Sequence, residues 1–197
     1  MSNLGYERIE ADLYKTPSWM VDPIVDLLRQ KPPGTPTIWE CAAGEGNISS
    51  VLEKNNFGVI STDLEQRGYP LSERKDFLSY TKDDMPDVHG IVTNPPYGPG
   101  GRLAKKFLVH SLELMKPYGF VFMLLKADYD LGKTRRKQFG ECPVYEGQLN
   151  FSKRPRWIEG TTGAPRHWYS WFFWDWQKQA NERPYSLYDY ESGKNVK

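Results

Sequence analysis

The most informative segment for the architecture of this chain is Thr37-Ile-Trp-Glu-Cys-Ala-Ala-Gly-Glu-Gly-Asn47. Residues 37–41 predict a short strand, and the glycines at 44 and 46 predict a tight turn whose backbone a ligand can approach. A helix over 47–55 follows, and such strand-turn-helix units are typical of nucleotide-binding proteins. The third glycine of a dinucleotide fingerprint is missing. That departure counts against NAD and favours an adenosyl ligand without a pyrophosphate.

On both sides of this unit, strand-like and helix-like segments alternate from about residue 18 to residue 176. The alternation predicts an α/β fold in which helices cover a mostly parallel sheet. Helices are predicted over 18–29, 47–55 and 103–115, and strands over 37–41, 58–63, around 76–77, 89–93, 119–125, 143–151 and 167–176. The aromatic run 168–176 is expected to pack the last strand against helices rather than to stack on bases.

The composition favours one folded domain. With 197 residues, 39% hydrophobic and 26% charged, the chain can bury one sizeable core, which we expect over residues 1–177, followed by a polar tail over 178–197. No apolar run approaches the roughly 18 residues of a membrane helix, and the first residues lack the pattern of a secretory signal. We therefore expect a cytoplasmic protein without a membrane partner. Two cysteines and three histidines without ligand spacing predict no metal site.

Positive charge is concentrated late in the chain. Residues 126–166 contain 9 Lys and Arg against 5 Asp and Glu, whereas the whole chain has a net charge of only +1. A polyanionic partner should therefore contact this later part. The candidate phosphate-binding residues are Lys133, Arg135, Arg136, Lys153, Arg154 and Arg156. The alternative is a solvated basic loop that has no partner.

An acidic residue closes the second predicted strand. Asp63 follows the glycine turn by about 20 residues, at a position where a carboxylate can accept hydrogen bonds from both hydroxyls of a ribose. Glu65 is the alternative residue for this role. Together with the glycine turn, this acid indicates a site for an adenosyl ligand.

The tetrapeptide Asn94-Pro95-Pro96-Tyr97 directly follows the fourth predicted strand. Open α/β sheets bind ligands beyond the carboxyl ends of their strands, so this loop is expected at a ligand-binding crevice. Two prolines stiffen the backbone and remove two N–H donors. The loop therefore presents carbonyl oxygens and the Asn94 amide oxygen as rigid acceptors, which suit a substrate amino group.

From Tyr14 to Trp176 the chain resembles the small N6-adenine DNA methyltransferases of phages and bacteria, which belong to the Rossmann-like S-adenosylmethionine enzymes. The matching elements are Tyr14-x-Thr16-Pro17-x-Trp19, Glu40 to Gly46, Asp63, Asp76-Phe77 and Asn94 to Tyr97. Arg154-Pro-Arg-Trp157, followed by Gly163-Ala-Pro165, is also typical of the phage members. The resemblance implies a class I methyltransferase domain with a seven-stranded, mostly parallel sheet whose last strand is antiparallel.

The resemblance also implies which residues bind S-adenosylmethionine. They are Tyr14, Thr16, Pro17, Trp19, Glu40, Ala42, Gly44, Gly46, Asp63, Asp76 and Phe77. Within this set, Asp63 is the ribose acid, and Asp76-Phe77 is the pair that contacts the adenine of the cofactor. Glu40 stands where some members have aspartate, and we still expect it to bind the methionine end.

The implied reaction is direct methyl transfer to the N6 of adenine in DNA. Asn94 Oδ1 and the Pro95 carbonyl would accept hydrogen bonds from the amino group, with Pro96 and Tyr97 completing the catalytic loop. Tyr97 would stack on a base that is flipped out of the duplex or already unpaired. The mechanism needs no side-chain nucleophile and no general base.

Three alternatives stay open at the level of sequence. The same tetrapeptide serves enzymes that methylate adenine in RNA and enzymes that methylate a glutamine side-chain amide in a protein. A non-catalytic binding protein that retains the fold is the alternative from another class. Neither the recognition sequence nor the oligomeric state can be predicted, because both depend on loop and surface geometry.

Overall fold

The computed structural model describes residues 14–157 and 164–177. In this part of the chain the α-helices are α1 (Ser18–Arg29), α2 (Asn47–Lys54) and α3 (Arg102–Met115). The strands are β1 (Ile38–Glu40), β2 (Val59–Asp63), β3 (Glu73–Arg74), β4 (Gly90–Thr93), β5 (Phe120–Lys126), β6 (Tyr145–Asn150) and β7 (Tyr169–Asp175). The tail over 178–197, the first 13 residues of the expected domain and Gly163 lie outside the described residues.

The seven strands form one sheet in the order β3-β2-β1-β4-β5-β7-β6. The pairs from β3 to β5 are all parallel, whereas β7 is antiparallel to both β5 and β6. This arrangement confirms the expected mostly parallel sheet with an antiparallel last strand. The strand order reverses between β1 and β4, and open α/β sheets bind ligands beyond the strand ends at such a switch point.

The sheet is buried on both faces. Along β5, Phe120, Phe122 and Leu124 belong to the core cluster under α1 and α2, whereas Val121 and Met123 belong to the cluster that contains α3 residues. All five side chains are at most 3% exposed. An uninterrupted apolar strand is therefore explained by helices on both sides, because alternate residues of a strand point to opposite faces.

The aromatic strand β7 packs as the sequence predicts, with one exception just before its start. Trp171 and Trp174 are fully buried, and their indole nitrogens donate to the carbonyls of Met20 and Gln138, each at 2.6 Å. Trp168, in contrast, is 41% exposed. The packing prediction was therefore wrong for Trp168, because this residue precedes β7 at the edge of the sheet.

The third strand was predicted at the wrong place. The paired residues are Glu73 and Arg74, whereas residues 77–79 form a short 3-10 turn. The Asp76 carboxylate accepts a hydrogen bond from the Leu78 amide at 3.0 Å and thereby caps this turn. Phe77 is buried edge-on against Trp39, with ring centres 5.2 Å apart. The cap and this packing favour a turn over an extended segment.

Among the described residues there is neither a membrane-spanning helix nor a cluster of metal ligands. None of the helices in residues 14–157 and 164–177 combines the length and the apolar character needed to cross a membrane. The same part of the chain has no group of three or more His, Cys, Asp or Glu residues arranged to hold a metal ion.

Candidate functional site

A cavity of about 630 Å³ opens at the carboxyl ends of β1, β2 and β4. Its volume lies within the range of roughly 300 to 1,000 Å³ that is usual for small-molecule sites. Gly44 of the turn after β1 and Asn94 of the loop after β4 both line it. The glycine turn and the double-proline loop, although about 50 residues apart in sequence, therefore face one shared space.

Most of the residues expected to bind the cofactor line this cavity. They are Tyr14, Thr16, Glu40, Ala42, Gly44, Asp63, Asp76 and Phe77. Pro17, Trp19 and Gly46 are not part of its wall. Trp19 instead packs edge-on against Phe151, with ring centres 5.3 Å apart. Gly46 adopts a φ of 75°, and a Cβ at this position would lie 2.1 Å from the Tyr69 ring. The backbone conformation and this close approach therefore explain why residue 46 is a glycine.

Glu40, at the end of β1, is a buried carboxyl group with one unpaired oxygen. It is 1% exposed, and its Oε1 accepts hydrogen bonds from the Thr93 hydroxyl at 2.6 Å and the Ala42 amide at 3.1 Å. Among the described residues, Oε2 has no hydrogen-bond partner. Burial raises the pKa of Glu40 to about 8, although the two hydrogen bonds oppose the shift. An orphaned acceptor in a cavity wall fits a cationic ligand group such as an ammonium.

Asp63, at the end of β2, ties the strand to the glycine turn. Its Oδ2 accepts a hydrogen bond from the Gly44 amide at 2.8 Å, and its Oδ1 accepts one from the Glu65 amide at 2.9 Å. Each carboxylate oxygen can accept more than one hydrogen bond. The carboxylate is therefore held in a fixed position on the cavity wall and retains acceptor capacity for the hydroxyls of a ribose.

Asn94 is oriented by the N-terminal segment. Its Nδ2 donates to Thr16 Oγ1 at 3.1 Å and to the Tyr14 carbonyl at 3.5 Å. With the nitrogen engaged, Oδ1 is the amide atom left for the cavity. Within the described residues no hydrogen bond is made to the Pro95 carbonyl either, so the loop retains two acceptors.

The rest of the double-proline loop is anchored to the sheet and to α3. Pro96 lines the cavity, whereas Pro95 and Tyr97 are not part of its wall. The Tyr97 carbonyl accepts a hydrogen bond from the Leu103 amide at 3.0 Å, near the start of α3. The Tyr97 hydroxyl accepts one from the Lys126 amide at 2.7 Å. Burial raises the pKa of Tyr97 well above its usual value of 10, so the hydroxyl stays neutral at physiological pH.

Two interactions at the site were not predicted from the sequence. Lys15 forms an ion pair with Glu45 at 2.7 Å, which links the N-terminal segment to the glycine turn at the cavity. Thr93, the last residue of β4, donates its hydroxyl to Glu40 and thereby positions that carboxyl group. Each residue adjoins a motif residue, but neither contact can be read from spacing because its partners are distant in sequence.

The six candidate phosphate-binding residues fall into two groups. In the first, Arg135 stacks on Tyr129 at 3.7 Å and donates to its carbonyl, and Arg136 pairs with Glu141 at 3.2 Å. Lys133 is exposed at the start of the 3-10 helix Lys133–Gln138, which also contains both arginines. Tyr129 in turn lies 6.5 Å from Tyr97, so this group stands beside the double-proline loop.

The second group, Lys153, Arg154 and Arg156, follows β6. Lys153 and Arg156 are exposed, and the Lys153 ammonium lies 5.1 Å from the ring centre of Trp19. The Arg154 guanidinium stacks on Trp168 at 4.7 Å. Cations therefore follow both β5 and β6 at the edge of the sheet that carries the cavity.

Comparison with known proteins identifies the fold. The sequence matches no protein-family model and no curated protein. Among solved structures, a candidate RNA methyltransferase from Pyrococcus horikoshii superposes with a TM-score of 0.64 at 14% identity, over 89% of this chain and 93% of that protein. A candidate class I S-adenosylmethionine-dependent methyltransferase from Listeria monocytogenes gives 0.58 at 15% identity, over 87% and 62% of the two chains. The M protein of the type I restriction enzyme EcoKI gives 0.57 at 16% identity, over 81% and 43%.

At these identities the similarity establishes the fold alone. The described residues have the Rossmann-like class I methyltransferase fold. The chain spans less than two thirds of the Listeria protein and of the EcoKI subunit, so the activities of those larger proteins are not transferred to it.

Proposed function

We propose that this protein transfers a methyl group from S-adenosylmethionine to the N6 amino group of adenine in DNA. The observation that carries the proposal is the orientation of Asn94. Its amide nitrogen is held by Thr16, its oxygen is left for the cavity, and the same cavity is lined by Glu40 and Asp63. A rigid acceptor and a site for an adenosyl cofactor thus share one space.

The cavity residues fit S-adenosylmethionine from end to end. Glu40 Oε2 would accept a hydrogen bond from the ammonium group of the methionine moiety, and Asp63 would bind the ribose hydroxyls. Asp76 and Phe77 line the cavity where the adenine ring would lie. The sulfonium of the cofactor supplies an electrophilic methyl group. Phe77 is buried against Trp39, so the wall on that side is rigid.

The double-proline loop supplies positioning for the acceptor amine. The lone pair of an aromatic amine is delocalised into its ring, and hydrogen bonds to Asn94 Oδ1 and the Pro95 carbonyl favour a geometry in which it points at the methyl group. Holding two reactants in line supplies several kcal/mol of catalysis in favourable cases. Both acceptors are preorganised, since Asn94 is fixed by Thr16 and the prolines stiffen the loop.

The choice of DNA rests on the resemblance of the sequence and on charge. Basic side chains follow β5 and β6, at the edge of the sheet where Asn94 lies. One protein of the same fold, the EcoKI M protein, belongs to a restriction enzyme. An adenine inside a duplex cannot present its N6 to the cavity, so the target nucleotide must be flipped out or unpaired. That base would then stack on Tyr97.

The test is methyl transfer from tritiated S-adenosylmethionine to duplex DNA, single-stranded DNA, RNA and protein extract in parallel. Transfer to DNA is expected, with N6-methyladenine as the modified nucleoside after digestion. Asn94→Ala should reduce the rate by about 100-fold or more, the scale of losing a preorganised donor or acceptor at a reacting centre. Asn55→Ala is the matched control, because Asn55 follows α2 at the opposite edge of the sheet.

Each other outcome assigns a different acceptor. Label in RNA or in protein alone would replace DNA by that acceptor. Cofactor binding without transfer to any of the four would favour a non-catalytic binding protein. An Asn94→Ala variant that retains the parent rate would contradict the assigned role of the loop.

A further inference from the structure

A second, shallower groove of about 330 Å³ lies at the same edge of the sheet. It is lined by residues that follow β5, end β6 and begin β7, among them Ala127, Asn150, Phe151, Trp168 and Tyr169. We call it the β6–β7 groove. Neither the glycine turn nor the double-proline loop is part of its wall, so the cofactor does not account for it.

The wall of the β6–β7 groove carries an aromatic ring stacked with a cation. Trp168 is 41% exposed, which is unusual for so large a ring beside a strand whose other tryptophans are fully buried. The Arg154 guanidinium lies 4.7 Å from the Trp168 ring and is held there by the Pro165 carbonyl at 2.7 Å. Exposed aromatic rings with arginine stacked nearby are the surfaces on which unpaired bases stack.

The polar atoms of the groove are arranged to donate. The Ser170 hydroxyl donates to Asn150 Oδ1 at 2.6 Å and so fixes the orientation of that amide. Asn150 Nδ2 makes no hydrogen bond among the described residues. A donor held beside an aromatic wall suits the ring nitrogens and carbonyl oxygens of a base.

The β6–β7 groove is separated from the double-proline loop by a single ring. Tyr169 lines the groove, and its ring centre lies 6.3 Å from that of Tyr97. The Lys126 amide donates to the Tyr97 hydroxyl, and the next residue, Ala127, lines the groove. A DNA strand that presents one base to Tyr97 would therefore continue past the groove wall that Tyr169 and Trp168 share.

Positive charge surrounds this path. The Lys126 ammonium lies 5.9 Å from the Tyr97 ring centre, and Lys153 lies over Trp19, which contacts Phe151 of the groove. Cations on both sides of an aromatic surface complement a phosphate backbone better than they complement an apolar peptide.

We propose that the β6–β7 groove binds the unpaired nucleotide next to the target adenine, with its base stacked on Trp168 and its phosphate near Lys153 and Arg154. The inference rests on the proposed function, because it takes Tyr97 as the position of the target base. It adds a second base-binding position to the protein. Bases flanking the adenine then contribute to affinity by stacking.

The experiment measures binding of fluorescein-labelled single-stranded DNA that carries one adenine in a thymidine tract, by anisotropy. Trp168→Ala should weaken binding by about 5- to 150-fold, the range for loss of one base-aromatic stack. Trp168→Phe should recover most of the affinity, since it restores an aromatic ring. Tyr118→Ala is the matched control, because Tyr118 is 76% exposed but precedes β5 at the opposite edge of the sheet, and it should bind like the parent.

A second set of oligonucleotides locates the contact. An abasic residue is placed on one side of the adenine and then on the other. At one of the two positions, the abasic residue should weaken binding to the parent protein but not to Trp168→Ala. The abasic residue and the Trp168→Ala substitution remove the same stacking contact, so their effects should not add. Equal losses for the parent and the variant at both positions would overturn the groove assignment.

The outcomes separate this inference from the proposed function. If the parent methylates DNA and Trp168→Ala binds it with unchanged affinity, the groove assignment fails and the proposed function stands. If Trp168→Ala weakens binding but the parent transfers no methyl group to DNA, the groove stands as a base-binding surface, whereas the proposed function and the position next to a target adenine both fail. Thermal unfolding of each variant shows whether a loss of affinity follows a loss of fold, in which case Trp168→Phe and the abasic series decide.

Discussion

Replacing Glu40 by glutamine should stabilise the protein in the absence of cofactor. Glu40 is 1% exposed with one unpaired oxygen, and burial raises its pKa to about 8 from a usual value of 4.5. The folded chain therefore holds this carboxyl group protonated at pH 7, whereas the unfolded chain ionises it. Glutamine has nearly the same shape and keeps an acceptor for Thr93 and Ala42, but it requires no proton.

The magnitude follows from linkage between protonation and folding. One pH unit corresponds to about 1.4 kcal/mol, so keeping the carboxyl group protonated at pH 7 costs the folded state about 3 kcal/mol. Because the folded state binds the extra proton, stability falls as pH rises from 4.5 to about 8 and is constant above that. The advantage of Glu40→Gln should therefore be below about 1 kcal/mol at pH 5 and about 3 kcal/mol at pH 7.

Urea denaturation of both proteins at pH 5, 6, 7 and 8 measures this difference in the free energy of unfolding. Glu113→Gln is the control, because the Glu113 side chain is 62% exposed on α3 and exposed ion pairs contribute at most about 1 kcal/mol. Equal stability of Glu40→Gln and parent at every pH would exclude a raised pKa for Glu40, since it would mean that the buried carboxyl group ionises without cost.

Binding of S-adenosylmethionine at pH 7 should release close to one proton, because a cationic ammonium beside Glu40 favours the ionised carboxylate. Calorimetry in buffers of different ionisation enthalpy measures the number of protons released. No proton release would show that the ammonium group does not bind at Glu40. Asp63→Ala should weaken cofactor binding by about 1 to 3 kcal/mol, the scale of lost charged hydrogen bonds. If Glu65→Ala weakens binding instead, Glu65 is the ribose acid. Gly46→Ala should destabilise the fold by more than Gly68→Ala. Both substitutions place a side chain at a positive φ, which costs roughly 1 to 2 kcal/mol of folding free energy, but only a Cβ at residue 46 meets a neighbouring ring. Equal losses of stability in thermal unfolding would exclude that contact.

Some parts of the fold could be predicted because local pattern and tertiary packing agree. The apolar run of β5 needs helices on both faces, and the structure provides them. The strand β3 shows the opposite case, since Glu73 and Arg74 are exposed and the strand is defined by backbone pairing with β2. Its side chains carry no alternation of apolar and polar residues, so the sequence has no pattern that marks it.

The candidate site also has a part that the sequence predicts and a part that it does not. Gly44, Asp63 and Asn94 were placed together because each ends or follows a parallel strand, and the carboxyl ends of parallel strands meet at one edge of the sheet. The orientation of Asn94 depends on Thr16, which is 78 residues earlier, and no spacing rule predicts that hydrogen bond. The exposure of Trp168 likewise depends on where β7 begins.

In the proposed arrangement, one cavity holds the methyl donor so that its sulfur faces Asn94. A crystal structure with S-adenosylhomocysteine bound would locate each part of the donor. We expect the methionine end at Glu40, the ribose at Asp63 and the sulfur directed toward Asn94 Oδ1. A ligand bound in this cavity with its sulfur directed away from the double-proline loop, or bound elsewhere, would exclude this arrangement.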